Sequence, residues 1–376
     1  MDLTAGGARA VPVARSERTG LVPAGTVLAG SVISLVGLTW DIQWHGDVGP
    51  DTFFTMPHLF LYSGSAISGL ASLVVVLMTT AARRAGRPVD ARVGGRAINV
   101  FGKVFAAPAG YLVTGTGAAM FLLYGLWDQW WHGLYGFDAV IDSPPHIGLL
   151  LSITLSIIGT VMVFAAAREH RWGTVGVVGS LGVLIAFSTV TVLGLQQIDV
   201  DGLDVVSVGI ALLSVLLVSA GAGFWGRPGG AVRVAAALAV IQAITWWFSP
   251  WAAEAYASAV GLPMRDYIDG VPAMPSMMPM ALLPIAAVLE AVYLLSRRWP
   301  AGRVSVPAGV IGGLLVGASM PIQNAIVYGS DQMPWAVVFA TGAAGAVVGL
   351  LGGFAGWRFG GMLRLLAPAK GENAHA

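Results

Sequence analysis

Cysteine is absent from all 376 residues. Its absence excludes disulfides, thiolate nucleophiles, iron–sulfur clusters and thiolate-held zinc, so any metal chemistry must use nitrogen, oxygen or thioether ligands. Charge is scarce as well: 10% of residues are Asp, Glu, Lys or Arg, against 56% hydrophobic. No water-soluble domain of this length could keep such a composition out of aggregation. The net charge of +1 and the lack of a basic patch outside short turns leave no footprint for nucleic acid. Histidine is rare too, at six residues, and four of the six fall into one recurring pattern.

What is present is long apolar runs. Stretches able to cross the hydrocarbon core as helices lie at 21–40, 58–82, 104–127, 146–167, 173–194, 205–225, 231–249, 276–296, 304–325 and 335–357. The expected fold class is therefore all-α, a polytopic membrane helical bundle of about ten transmembrane helices. The N-terminus is polar and the first run is too long for a cleavable signal, so it is read as span one. Basic residues gather before span one, after span ten and in every second gap, as in Arg83 to Lys103, Arg168 with Arg171, Arg227 with Arg233, and Arg297 to Arg303. The remaining gaps hold Arg265 alone among many aspartates. By the positive-inside rule both termini are expected in the cytoplasm. The organisation reads as a cytoplasmic tail at 1–20, a four-helix region with two motifs at 21–167, a six-helix region at 168–358 and a cytoplasmic tail at 359–376.

The motifs occupy the first two outward gaps. One reads Trp40-Asp41-x-x-Trp44-His45 followed by Met56-Pro57-His58; the other reads Trp127-Asp128-x-x-Trp131-His132 followed by Pro144-Pro145-His146. The second loop is one residue longer. Asp41 and His45, like Asp128 and His132, are four apart and share a helix face if the helix continues to its outer end. His58 and His146 each follow a proline suited to starting the returning helix. Two sites result, each with two imidazoles and one carboxylate, a donor set that leaves positions open and suits iron, copper or zinc better than magnesium or calcium. Asp51 and Asp142, and less so Asp138, are candidates to orient the imidazoles from behind, or they simply keep the outer face acidic. Trp40, Trp44, Trp127, Trp130 and Trp131 could wall the sites or form an interfacial aromatic belt.

Elsewhere the pattern is plainer. "MPSMMPM" offers thioethers at Met274, Met277, Met278 and Met280, though methionine at a helix start usually packs. Glu290 is a lone acid in span eight, read as a helix–helix hydrogen bond rather than a proton path. The connection "RRAGRPVDARVGGR" reads as a solvated linker. An interfacial helix is expected around 251–260, where Trp251 and Tyr256 suit the lipid boundary.

Over roughly residues 30 to 165, Asp41-x-x-Trp44-His45 with Asp51-Thr52-x-Phe54-Thr55-x-x-His58 resembles the signature of the C-type membrane component of the copper membrane monooxygenases, the family of particulate methane monooxygenase and ammonia monooxygenase. The resemblance implies copper at Asp41, His45 and His58. The spacing of Asp128, His132 and His146 is similar to the family's second metal site, whose first ligand is an Asn, so Asp128 adds a negative charge. The function so implied is a membrane-bound copper-dependent monooxygenase acting on dioxygen and a small apolar or lipid-soluble substrate, with Asp128, His132 and His146 catalytic. The other centre would assist, deliver electrons or stabilise structure. Copper is the expected cofactor, with iron or zinc behind it. The expected setting is a bacterial plasma membrane with the sites outward, in a homo-oligomer, a trimer by resemblance, or in a hetero-oligomer with other monooxygenase subunits. The alternatives are a non-catalytic structural or copper-handling subunit and, less well supported by the bare span interiors, a transporter.

Overall fold

The structure is a computed structural model that describes residues 20–136, 142–226, 228–268 and 270–368. Asp138, Arg227, Asp269, His375 and the basic residues of both tails other than Arg358 and Arg364 lie outside the described residues. Ten helices among the described residues are long and apolar enough to span a membrane, and the fold is the all-α bundle expected. The reason is elementary: hydrocarbon offers a backbone no hydrogen-bond partners, and a helix satisfies its own.

Helices α1 (Leu21–Asp47) and α2 (Met56–Arg84) form the first motif hairpin, and α3 (Ala109–Tyr135) and α4 (Pro144–Ala166) the second. Both α1 and α3 run past their apolar stretches and carry Asp41, His45, Asp128 and His132 inside the last turns. Between α2 and α3 the expected linker contains a small hairpin, β1 (Ala97–Val100) paired antiparallel with β2 (Phe105–Pro108). Residues 105–108, read from sequence as part of span three, are thus strand. The Thr80 hydroxyl fixes β2 to α2 through both the N–H and the carbonyl of Ala106, at 3.0 Å each.

The two hairpins repeat each other well below the motifs. A Cβ on Gly30 would collide with the Ser68 hydroxyl and crowd the Gly64 carbonyl; on Gly117 it would meet the Ser156 hydroxyl and the Ser152 carbonyl. The Ser68 hydroxyl donates to Val27 O across α1 and α2 (3.2 Å), and the Ser156 hydroxyl donates to Thr114 O across α3 and α4 (3.1 Å). Gly117 follows Gly30, and Thr114 follows Val27, by the same 87 residues that separate Asp128 from Asp41. Ser156 follows Ser68 by the 88 that separate His146 from His58. One close-packing device, a glycine under a serine hydroxyl, recurs in register with the ligands.

The remaining spans are α5 (Arg171–Thr191, with a 3-10 turn at Val192–Leu195), α6 (Val205–Trp225), α7 (Gly230–Val260), α8 (Ala273–Met277), α9 (Leu282–Leu295), α10 (Ala301–Val327) and α11 (Trp335–Leu363). The stretch 251–260 is not a separate interfacial helix. It continues α7 through Pro250, because its small residues dock on α1: Ala252 and Ala253 pack on Trp40, and Ala257 on Trp44. Span eight is broken into α8 and α9, and two glutamines satisfy the open backbone. Gln242 donates to Pro275 O and Met278 O (2.9 Å each); Gln323 donates to Ser276 O (2.6 Å) and Met278 O (3.0 Å) and accepts from Met280 N (2.8 Å). Met274 and Met278 are fully buried core residues, so packing explains them. Glu290 accepts from Ala231 N at the start of α7 (2.8 Å), the helix–helix bond read from the sequence.

Helices α10 and α11 meet through glycine. A Cβ on Gly309, Gly313 or Gly317 would run into the backbone carbonyls of Gly349, Gly345 or Thr341 respectively, the close approach that small residues permit in membranes. Gly313→Leu is expected to cost about 1–3 kcal/mol through overpacking. Gly25→Ala, where an added Cβ meets nothing within 4 Å, should be neutral or stabilise by up to about 1 kcal/mol. Denaturation of the purified protein in detergent, followed by circular dichroism, checks both; equal stability of the two variants would contradict the helix contact.

Candidate metal centre

At the end of α1, Asp41 and His45 stand one turn apart on the face that looks toward α2. The turn that follows is tightly specified. Gly49 has a φ of +103°, and a Cβ there would strike the Arg265 guanidinium, so this position excludes a side chain on two counts. The Trp44 indole donates to Pro50 O (2.8 Å). Thr52 N–H donates to both Asp51 Oδ1 (2.7 Å) and Thr55 Oγ1 (2.8 Å), and the Thr55 hydroxyl donates back to Thr52 O (2.8 Å). Pro57 lies in the first turn of α2, and His58 follows it.

These constraints bring four donors together. His58 Nε2 lies 3.1 Å from Asp41 Oδ1 and 3.4 Å from Asp51 Oδ2; His45 Nε2 lies 3.1 Å from Asp51 Oδ2 and 3.9 Å from Asp41 Oδ1. The second cluster has three donors. Asp128 Oδ1 is 3.3 Å from His146 Nε2, and Asp128 Oδ2 is 3.5 Å from His132 Nε2. All six residues singled out as ligands are thus assembled into their two groups, and each group could hold a metal ion.

Asp51 departs from its expected role. Its carboxylate does not support an imidazole from behind; Oδ2 faces the same ring nitrogens as Asp41 and joins the donor set. The cause is local, since Oδ1 is pinned by the next backbone N–H and the side chain is only 3% exposed. The groups that orient the imidazoles from behind are backbone carbonyls, Thr52 O at 3.0 Å from His58 Nδ1 and Gly136 O at 2.8 Å from His132 Nδ1. Asp142 is not part of the second cluster; its Oδ1 is buried without a hydrogen bond among the described residues.

The donor chemistry fits a cation. A carbonyl only accepts, so Nδ1 of His58 and of His132 must carry the proton, and a neutral ring then turns its Nε2 lone pair toward carboxylate oxygens. Lone pairs facing lone pairs repel unless a positive charge sits between them. Asp41 Oδ1 and Asp128 Oδ1 are buried, and apart from the imidazole nitrogens facing them neither has a hydrogen-bond partner among the described residues, although buried polar atoms are normally satisfied. Separations of 3.1 to 3.9 Å within the clusters suit donors gathered around one ion at about 2.0–2.2 Å each. Protons on His45 and His58 could play the same part when no metal is bound. Burial pushes the Asp51 carboxyl up, but the hydrogen bond with His45, the charge of His58 and the Thr55 hydroxyl outweigh it and hold Asp51 below the usual carboxylate range.

Both clusters open into one cavity of about 330 Å³. Leu38, Ile42, Leu61, Leu149 and Leu150 supply its apolar wall, and no tryptophan among the described residues lines it. Trp40 and Trp44 are instead buried against α7, while Trp127 and Trp130 are exposed on the outer surface, where an aromatic belt would lie. Two further lining residues are Tyr62 and Arg265. Tyr62 stacks on His58 with centroids 5.8 Å apart and planes at 22°. Arg265 reaches over Gly49 from the loop after α7, its backbone N–H bonded to Asp47 O (2.7 Å) and its Nε to Val48 O (3.3 Å). A lone basic residue among outward aspartates was its sequence signal; Tyr62, one helical turn after His58, had none beyond spacing.

Asp51→Asn is expected to weaken metal binding at the first cluster by roughly 10–100-fold and leave the second cluster's share of bound metal unchanged. Metal titration of the purified chain followed by elemental analysis reads this directly. An unchanged first-cluster affinity would return Asp51 to a purely structural part of the loop.

Comparison with protein-family models, curated proteins and solved structures found no match, so the two Asp/His groups stand as candidate metal sites on their own geometry.

Proposed function

We infer that the chain is a membrane-bound copper-dependent oxidoreductase, a monooxygenase that oxidises an apolar, lipid-soluble substrate. The observation that carries the reading is the opening of two carboxylate–imidazole clusters into one apolar cavity. The resemblance of Asp41, His45, Asp51 and His58 to the copper membrane monooxygenase signature supports copper over other ions. Bound and reduced, copper would supply the binding and activation of dioxygen. Overall, one oxygen atom enters a C–H bond of the substrate and the other leaves as water, with two electrons from an external reductant and two protons.

The chain's own residues divide the work. Asp128, His132 and His146 form the catalytic centre in this reading. With a single carboxylate, that cluster is the less anionic of the two and leaves more positions open, and Asp128 and His132 are buried. Asp41 and Asp51 together put two negative charges on the first cluster, which favours a harder or more oxidised ion and suits a supporting centre. His132 and His58 are held in one tautomer by Gly136 O and Thr52 O. Leu38, Leu61, Leu149 and Leu150 line the cavity with apolar surface, which would limit water around reactive species. In this reading the clusters face outward from a bacterial plasma membrane, and dioxygen and substrate arrive through the bilayer.

The test is copper content with electron paramagnetic resonance on the chain purified alone, for the parent, His58→Ala and His146→Ala, together with product formation in His132→Ala. Each alanine variant should lose a distinct share of the copper signal, and His132→Ala should lose turnover by at least about 100-fold while staying folded. Copper bound at both clusters without reductant-dependent oxygen consumption would instead support a non-catalytic metal-binding subunit. Full turnover in His132→Ala would remove the catalytic assignment.

A further inference from the structure

A second cavity, of about 800 Å³, lies between the outward faces of α2 and α3. It is more than twice the volume of the cavity at the clusters. Leu70, Leu73, Leu122 and Leu126 are more than half exposed along its rim, so it opens sideways to where the lipid would be. Two of its hydroxyls are turned away: Ser72 donates to Ser68 O and Thr116 to Leu112 O, each within its own helix at 2.8 Å. No described residue of the groove carries a charge, and the Tyr111 hydroxyl, buried without a hydrogen bond among the described residues, lies at the end of the lining away from Tyr62.

Its shape is elongated. The lining on α2 runs from Tyr62 to Val76, which at the helical rise is roughly 20 Å, about two thirds of the hydrocarbon thickness. One end is Tyr62, whose ring lines both this groove and the cavity of the clusters. The same ring stacks on His58 and packs beside Phe53 (4.9 Å) and Phe121 (6.1 Å). A single aromatic layer therefore separates the groove from the metal ligands.

We propose that this groove binds one long linear hydrocarbon chain, drawn from the bilayer, with its terminal carbons at Tyr62 beside His58. The substrate class is thereby a long-chain hydrocarbon or the tail of a lipid-like molecule rather than a small gas. This use of the groove rests on the oxidoreductase reading, whereas the binding itself does not. The length of the groove, its lack of charged anchors and the Tyr62 ring it shares with the cluster cavity favour a chain over a compact ligand. A second copy of this protein, laying a helix into the groove, is the competing occupant.

The experiment uses the full chain in phosphatidylcholine vesicles with a photoreactive hexadecane bearing a terminal diazirine, and maps labelled peptides by mass spectrometry. Ala66→Phe and Ala119→Phe fill the groove from exposed positions on either wall and should not disturb folding. Labelling is expected to concentrate around Tyr62 and Phe121 and to be competed by unlabelled hexadecane. In the double variant it should fall about ten-fold, with metal content unchanged. Labelling spread evenly over the lipid-facing helices, or unaffected by the double variant, would overturn the proposal. So would absent labelling together with disulfide trapping of a Leu70→Cys, Leu122→Cys pair between two copies. Specific labelling without oxidised product on adding dioxygen and reductant would keep the bound chain and refute the oxidoreductase; turnover of a short alkane without labelling would do the reverse.

Discussion

An ionised carboxylate at the edge of a hydrocarbon layer is costly unless a positive charge meets it, and that cost organises this end of the molecule. Asp41, Asp51 and Asp128 are each placed against imidazole nitrogens, and the surrounding architecture serves to hold them there. Helices α1 and α3 run beyond their apolar stretches so that ligands sit on a rigid face. The turn at 48–55 is tied by threonine hydroxyls and a glycine with no room for a side chain. Backbone carbonyls fix which nitrogen of His58 and His132 is presented. Without a cation among them, ionic or protonic, these groups would repel one another.

The same requirement accounts for the repeated hairpin. Two helices must approach closely for ligands on one to meet a ligand on the other, and Gly30 under Ser68 and Gly117 under Ser156 supply that approach. Because the offsets between the packing residues equal those between the clustered Asp and His residues, the repeated unit, whether by duplication or by convergent need, is the whole hairpin rather than the motif alone. The two hairpins differ at the turns. The first turn contributes a fourth donor through Asp51, whereas the second cluster is limited to three donors among the described residues, and this difference separates the two centres in charge.

Much of this was legible in the sequence, and the failures have physical causes. The spans followed from hydropathy because lipid leaves a backbone few options. The grouping of the six Asp and His residues followed from i,i+4 spacing and proline-started helices. Glu290, Met274 and Met278 matched the plainer expectation. Asp51 was misjudged because spacing gives the distance between residues along a helix but not the aim of a carboxylate in a turn. Trp40 and Trp44 were read against lipid or the site, yet α7 covers them, a contact between residues more than two hundred positions apart. The α10–α11 seam was invisible for the opposite reason: glycine is so common in this chain that no stripe stood out until the helices were paired.

Every donor of the first cluster lies between residues 41 and 58, and every donor of the second between 128 and 146. Each donor set is therefore carried by one hairpin, while from the C-terminal half Arg265 braces the turn of the first. During biosynthesis a helical hairpin can enter the bilayer as soon as its second helix emerges from the ribosome. All seven donors would then be in place before the six C-terminal spans have entered the bilayer.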